Sequence, residues 1–287
     1  MEKRSKLKIY LILSIILFFV VNYFWIDKLI SDFIGNSHLE FEKFKRDAPS
    51  INSNISDAEN FTIANWNMNV FGIKKASDEK LMNLYASVIN NYDIIFLQEI
   101  RDESGESFNQ LCSLLPSYNC NISSRAGRTS SKEQVGIVYK KGIKIINFTD
   151  FNPDSLDRWE RPPIELKFDI NGYEFNVYNI HTKPTNASLE LTNLNSLVQN
   201  QGDTIIIGDL NADCNYYDHG KEEQFNQWNW IISDRDSTTS SNSSCAYDRI
   251  IINDNAKNNF EIYGIFNESI NKNVSDHDLV WAEFRIT

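Results

Sequence analysis

Two β-sheets packed face to face with helices outside, an α/β fold of the α+β type in one domain, is what the sequence predicts. Three observations carry this expectation. Aliphatic runs of strand length recur between residues 61 and 287, few helical segments separate them, and the two do not alternate strictly. Strict alternation would point to a parallel sheet with crossover helices, whereas this pattern suits a layered sandwich.

The first predicted strand is "FTIANWN", residues 61–67. A helix over 77–92 follows, with Leu81, Leu84, Val88 and Ile89 on one face and Ser77 and Lys80 flanking its start. "YDIIFLQEI" (92–100) reads as a strand and "SFNQLCSLL" (107–115) as a short helix. Strands are then expected at "QVGIVYK" (134–140), "PIELKF" (163–168) and "YEFNVYNIHT" (173–182). After the helix-like "LELTNLNSLVQN" (189–200) come "DTIIIGD" (203–209), "YDRIIIN" (247–253) and "LVWAEFRI" (279–286). The aliphatic run at 205–207 suits a strand covered on both faces.

Ahead of this domain, residues 9–26 form a mostly apolar stretch behind Lys3, Arg4, Lys6 and Lys8. Its length suits a bilayer span, and no small-x-small cleavage site follows. Residues 1–26 are therefore read as a signal-anchor rather than a removed signal peptide. Residues 27–60 read as a tether and 61–287 as the folded domain. The positive-inside rule places that domain outside the cytoplasm, anchored to the membrane, or secreted if the segment is cleaved.

The formal net charge is −11, and it falls wholly on 61–287, because residues 1–60 carry eight acidic and eight basic side chains. A broad basic face that grips nucleic acid by electrostatics alone is excluded. Cys112, Cys120, Cys214 and Cys245 suit two disulfides in an exported domain, and four cysteines allow three pairings.

Polar residues recur where the apolar runs end. Asn67, Glu99, His181, Asp209 and Asn211 close strands, Asp248 opens one, and Asp276 and His277 precede another. Glu99, Asp209 and Asp276, with the amide oxygens of Asn67 and Asn211, are hard ligands for Mg²⁺, Mn²⁺ or Ca²⁺. His38 falls in the tether and His219 in a polar loop, which leaves His181 and His277 at strand ends. Two histidines with carboxylate partners beside a divalent cation describe metal-assisted phosphodiester hydrolysis.

The order "NWNMNVFG", "YDIIFLQEIRD", "GRTSSKEQVGIVY", "RPPIELKF", "YNIHTKP", "GDLNADC", "CAYDRI" and "SDHDLV" resembles the endonuclease/exonuclease/phosphatase superfamily, and within it the deoxyribonuclease I group. The resemblance runs from about Phe61 to the C-terminus. It implies a four-layer sandwich of two mostly antiparallel sheets flanked by helices. It implies that Glu99 holds the cation, Mg²⁺ or Mn²⁺, with Asn67, Asp209, Asn211 and Asp276 close by. His181 with Glu133 would protonate the leaving 3′ oxygen, and His277 with Asp248 would activate water, leaving 5′-phosphate ends. Arg101, Arg128 and Arg161 match positions that contact DNA, and the family's inter-segment disulfide falls at Cys214–Cys245, which leaves Cys112–Cys120 as an extra pair that departs from the family. The implied function is an endodeoxyribonuclease of little sequence specificity, a monomer with DNA as substrate and no protein partner.

Two further departures from the family stand out. Ser131 occupies the neighbourhood of an aromatic that stacks on a sugar, and "DSTTSSNSSC" replaces a Thr-rich calcium loop, which argues against structural Ca²⁺. A phosphoesterase of the same superfamily acting on a phospholipid headgroup is the alternative. It suits the anchor, but "CAYDRI" and the arginine set belong to the nuclease branch. Asp213 has no catalytic role and is expected to bond loop backbone.

Overall fold

The computed structural model describes residues 55, 58–240, 244–266 and 272–287. The segment read as an anchor, His38 and most of the tether lie outside the described residues. Among the described residues no helix is long and apolar enough to cross a membrane.

In chain order the elements are β1 (Asn60–Phe71), α1 (Ile73–Ala76), α2 (Glu79–Ile89), β2 (Ile94–Ile100), α3 (Glu106–Ser113), β3 (Tyr118–Ile122), β4 (Gln134–Lys140) and β5 (Lys144–Asp150). There follow β6 (Ile164–Ile170), β7 (Tyr173–Asn179), α4 (Ala187–Leu197), β8 (Asp203–Asp209), β9 (Asn229–Trp230), β10 (Asp248–Ile252), α5 (Asp254–Lys257), β11 (Phe260–Phe266) and β12 (Leu279–Arg285). One sheet runs β11-β12-β1-β2-β4-β3 and the other β5-β6-β7-β8-β10-β9. Each contains one parallel pair, β1 with β2 and β7 with β8, and is otherwise antiparallel. The mostly antiparallel two-sheet sandwich expected from the sequence is what forms.

The layers explain the composition of the strands. Ile205, Ile207, Ile250 and Ile252 pack between the sheets with Phe61, Phe96, Phe168 and Phe175. Ile206 and Ile251 point the other way, into a second cluster with Leu191 and Leu194 of α4 and with Trp159. Both faces of β8 and β10 are therefore covered, which is why these strands are uninterrupted isoleucine rather than alternating. On the other sheet Trp66 of β1 meets Tyr85 of α2 edge-on at 5.3 Å, forming the matching helix layer.

The start of α2 differs in detail from the expectation. Asp78 is the N-cap, its carboxylate accepting the Leu81 N–H at 3.1 Å, so neither Ser77 nor Lys80 closes the helix. Ile55, from the segment read as tether, is buried with the core between the sheets, and its carbonyl accepts the Asn171 amide. Both expected disulfides form: Cys112–Cys120 joins α3 to β3, and Cys214–Cys245 joins the loop after β8 to the loop before β10.

Candidate active site

The site lies at the C-terminal ends of the parallel pairs, where irregular backbone turns polar side chains inward. The register of β1 on β2 shifts between Asn67 and Phe71, and Asn69, Val70 and Glu99 adopt positive φ (45°, 60° and 61°). Bulges of this kind re-aim side chains beside sites, and a β-branched residue there is a strained one. Here the Val70 N–H reaches Glu99 Oε2 at 2.8 Å and fixes that carboxylate. In β8 a side chain at Gly208 would put its Cβ 2.1 Å from the Ile180 carbonyl. Only glycine lets β8 approach the end of β7 so closely.

An amide network absent from the sequence reading joins the two sheets beneath the site. Asn65, Gln98 and Asn179 are fully buried. Gln98 Nε2 donates to Asn179 Oδ1 (3.1 Å) and the Ile180 carbonyl (2.9 Å), and Gln98 Oε1 accepts from the Asp209 N–H (2.9 Å) and Asn65 Nδ2 (3.2 Å). The sole sequence signal was a Gln in a strand directly before Glu99. Ser275 is a second unassigned connector. Its hydroxyl donates to the Asn67 carbonyl (2.6 Å) and accepts the His277 N–H (3.0 Å).

Two histidine–carboxylate pairs converge on one acid. His181 Nδ1 lies 2.5 Å from Glu133 Oε1, and His277 Nδ1 lies 2.7 Å from Asp248 Oδ2. Their Nε2 atoms turn toward the same oxygen, Asp209 Oδ2, at 3.3 and 3.7 Å. Asn67 Nδ2 donates to that oxygen at 3.0 Å and sits 3.4 Å from Glu99 Oε1. Asn211 donates its N–H to Asp209 Oδ1 (3.2 Å) and its amide to the Thr182 carbonyl (3.1 Å).

Electrostatics separate the two pairs. Burial would lower His181, but the Glu133 and Asp209 carboxylates together outweigh it and hold the imidazole above its ordinary value, with Arg161 pulling the other way. Burial would also lower His277, yet Asp248, Asp209 and Asp276 push it up to about 10. Asp248 itself is pushed up to about 6 by burial. Glu133 stays below its usual range because His181, Arg161 and Arg101 overcome its burial.

Most of the residues singled out from the sequence come together. Ligand atoms of Glu99, Glu133 and His181 lie within 4.8 Å of one another, as do those of Asp209, Asp248 and His277. The carboxylate oxygens of these two groups are hard donors that fit a divalent cation such as Mg²⁺ or Mn²⁺. Asp213, Cys214 and Cys245 form a third such group, but both sulfurs are bonded to each other, so it holds no metal. Asp276 acts through its charge on Lys75 and His277. Lys75 ties the Met68 carbonyl (2.7 Å) to the Val274 carbonyl (2.8 Å).

The three arginines are each paired with carboxylates. Arg161 is turned inward, its guanidinium donating to the carbonyls of His181 (2.9 Å) and Thr182 (2.7 Å) and to Glu133 (3.4 Å). Three of its five N–H groups are thus held by Glu133 and two carbonyls of the site. Arg101 bridges Glu99 (3.0 Å) and Glu133 (3.5 Å), and Arg128 pairs with Asp157 (2.8 Å) and Glu160 (3.6 Å). His219 packs edge-on against Trp230 and pairs with Asp234 at 3.1 Å, away from these groups. Asp213 accepts the Ala246 N–H at 2.7 Å, the loop-backbone role expected of it.

A two-sheet sandwich with paired histidines and acids at the strand ends defines a hydrolase of phosphodiester bonds. The endonuclease/exonuclease/phosphatase family model matches residues 64–277, and the chain belongs to that family, as a deoxyribonuclease I-like member. Deoxyribonuclease-1 of Gallus gallus is 30% identical over 218 residues, covering 68% of this chain and 77% of that one. Deoxyribonuclease-1-like 2 of Mus musculus is 29% identical over 217 residues, covering 69% and 78%. Among solved structures, truncated Caenorhabditis elegans TDP2 superposes with a TM-score of 0.59 at 17% identity, over 79% of this chain and 97% of that one. That last likeness speaks for the fold alone.

Proposed function

We propose that the chain is an exported endonuclease that hydrolyses DNA phosphodiester bonds with a divalent cation and little sequence specificity, leaving 5′-phosphate ends. The observation that carries this reading is the convergence of both histidines on Asp209 Oδ2, at 3.3 and 3.7 Å. Two imidazoles with their outer nitrogens around one point can serve the two sides of a single displacement. His181, backed by Glu133, donates its Nε2 proton to the departing 3′ oxygen. His277, oriented by Asp248, takes a proton from the attacking water at its Nε2. Glu99, with Asn67, Asp209, Asn211 and Asp276 around it, would hold Mg²⁺ or Mn²⁺, which when bound offsets charge developing on the phosphoryl oxygens.

DNA as substrate is supported by the deoxyribonuclease relatives and by Arg101 and Arg128, whose side chains remain 28% and 38% exposed. Arg161 serves as a brace for the His181 pair. Phosphate contacts position a strand without reading its bases, which accounts for the low specificity. Export is supported by two disulfides, which persist in oxidising compartments. Residues 9–26 then serve as the signal-anchor, with the catalytic domain outside.

Incubation of the full chain with supercoiled plasmid and Mg²⁺ tests the reading. Nicking that a chelator abolishes is the expected result. Turnover of phospholipid headgroups without nicking would overturn it.

A further inference from the structure

The three arginines matched to DNA contacts all face carboxylates, within a domain that carries 20 basic against 31 acidic residues. A phosphate arriving at any of them must displace or share an acid. Arg125, which no motif singled out, differs. Among the described residues its guanidinium has one partner, the main-chain carbonyl of Arg101 at 3.0 Å. It is half-buried, and its remaining N–H groups are not among the buried donors left unpaired, so they reach solvent.

Its backbone is held in place. The preceding Ser124 N–H donates to Asp150 (2.6 Å), and the Asn152 amide donates to Ser124 Oγ (2.7 Å) and to the Arg125 carbonyl (3.1 Å). The next residue, Ala126, exchanges both main-chain hydrogen bonds with Glu133 at 2.9 Å. The Arg101 carbonyl that anchors the side chain lies two residues past Glu99. The guanidinium therefore sits at the rim, beyond Glu99 and Glu133 rather than among them.

We propose that Arg125 is a substrate-binding residue that takes a non-scissile phosphate of the nucleic-acid strand. The proposal rests on the nuclease reading above. A guanidinium with a free fork and no carboxylate to exchange is suited to bidentate phosphate capture.

The test compares Arg125→Gln and Arg125→Lys in the full chain. Gln keeps an N–H donor for the Arg101 carbonyl and removes the charge, whereas Lys keeps the charge and loses the fork. The ratio of kcat/KM for plasmid to that for bis(p-nitrophenyl) phosphate, which has no flanking phosphate, is read at several salt concentrations. Arg125→Gln should lower this ratio about tenfold, mostly through KM. It should also flatten the dependence of log KM on log salt by about one contact, ~0.9. Arg125→Lys should restore the salt slope and only part of the ratio. An unchanged ratio and slope overturns the proposal, as does an equal fall on both substrates, which would mean that Arg125 acts by shaping the site. A wild-type chain that cleaves the small diester but not plasmid overturns the DNA reading, and this proposal with it.

Discussion

The two histidine pairs share a geometry and differ in the charge around them. Each presents Nδ1 to a buried carboxylate and Nε2 to Asp209. Glu133, however, stands between Arg161 and Arg101, at 3.4 and 3.5 Å, whereas Asp248 has only acids for charged neighbours beyond its histidine. Among the described residues one Asp248 oxygen is buried without a hydrogen-bond partner. One imidazole thus sits in a cationic frame and the other in an anionic one. Arg161 weakens the hold of Glu133 and Asp209 on the His181 proton, which would suit the acid of the proposed reaction. An anionic frame holds a proton, so in the proposed reaction His277 would gain as a base from positive charge beside Asp209, which a divalent cation would supply.

The largest expected effect is on turnover. His181→Ala and His277→Ala should each lower nicking by ~10²–10⁴-fold with the fold retained, since that is the usual worth of a positioned acid or base. Plasmid nicking rates with circular dichroism as the control decide it. A variant of either residue with wild-type rate would break the symmetry of the comparison and remove that histidine from the chemistry.

The carboxylates give a smaller and more discriminating readout. Glu133→Gln and Asp248→Asn should each cost about 10²-fold, as loss of orientation does. Their histidines should respond unequally in the metal-free protein. With Glu133 gone, His181 keeps Asp209 but faces Arg161 and should fall, whereas His277 in Asp248→Asn keeps both Asp209 and Asp276 with no arginine against it and should fall less. Imidazole resonances followed by NMR against pH measure both. Equal shifts would mean that the two frames do not differ.

The same asymmetry reaches stability. His277 is raised in the fold from 6.5 to about 10, so its contribution is fully present below pH 6.5 and is lost as pH rises through about 10. Glu133 and Asp209 are depressed, so theirs is present above their ordinary carboxylate values and is lost as pH falls through the lowered ones. The melting temperature of the metal-free domain should therefore fall on the alkaline side, and His277→Ala should shrink that limb to the part that His181, also raised, contributes, while leaving the acid limb. A curve of unchanged shape would contradict the anionic frame.

How much of this the sequence disclosed follows a physical line. The eight interior strands announced themselves by their apolar residues because at least one face of each is packed in the core, and both faces of β8 and β10 are. Lys144–Asp150, Asn229–Trp230 and Phe260–Phe266 escaped, and Tyr118–Ile122 showed only through Cys120; these four are the outermost strands of the two sheets. Their residues are mostly half-buried or exposed, so no apolar run marks them. At the site the acids and histidines were legible because they are costly at the end of a buried strand. The inward turn of Arg161 was not, since an arginine before two prolines looks like surface. Nor was the Asn65–Gln98–Asn179 network, because amides in a strand read as facing water until a second sheet is known to lie opposite them.

The smallest expected effect contrasts the disulfides, one beside the His277 pair and one remote from both pairs. Cys214–Cys245 closes a separation of 31 residues and fastens the loop after Asp209 to the segment leading into Asp248. Cys112–Cys120 closes only 8 and lies on the outer face, between α3 and β3. Chain entropy assigns about 3.7 kcal/mol to the first and about 2.5 kcal/mol to the second, a difference of about 1 kcal/mol. Thermal melts of the Cys214→Ser/Cys245→Ser and Cys112→Ser/Cys120→Ser proteins should show the first pair falling a few degrees further. Activity should separate them more sharply: below both melting temperatures, only the first pair of substitutions should lower nicking, because only that bridge holds Asp209 and Asp248 in register. Equal losses of activity would mean that the His277 pair draws its alignment from the β8–β10 ladder alone.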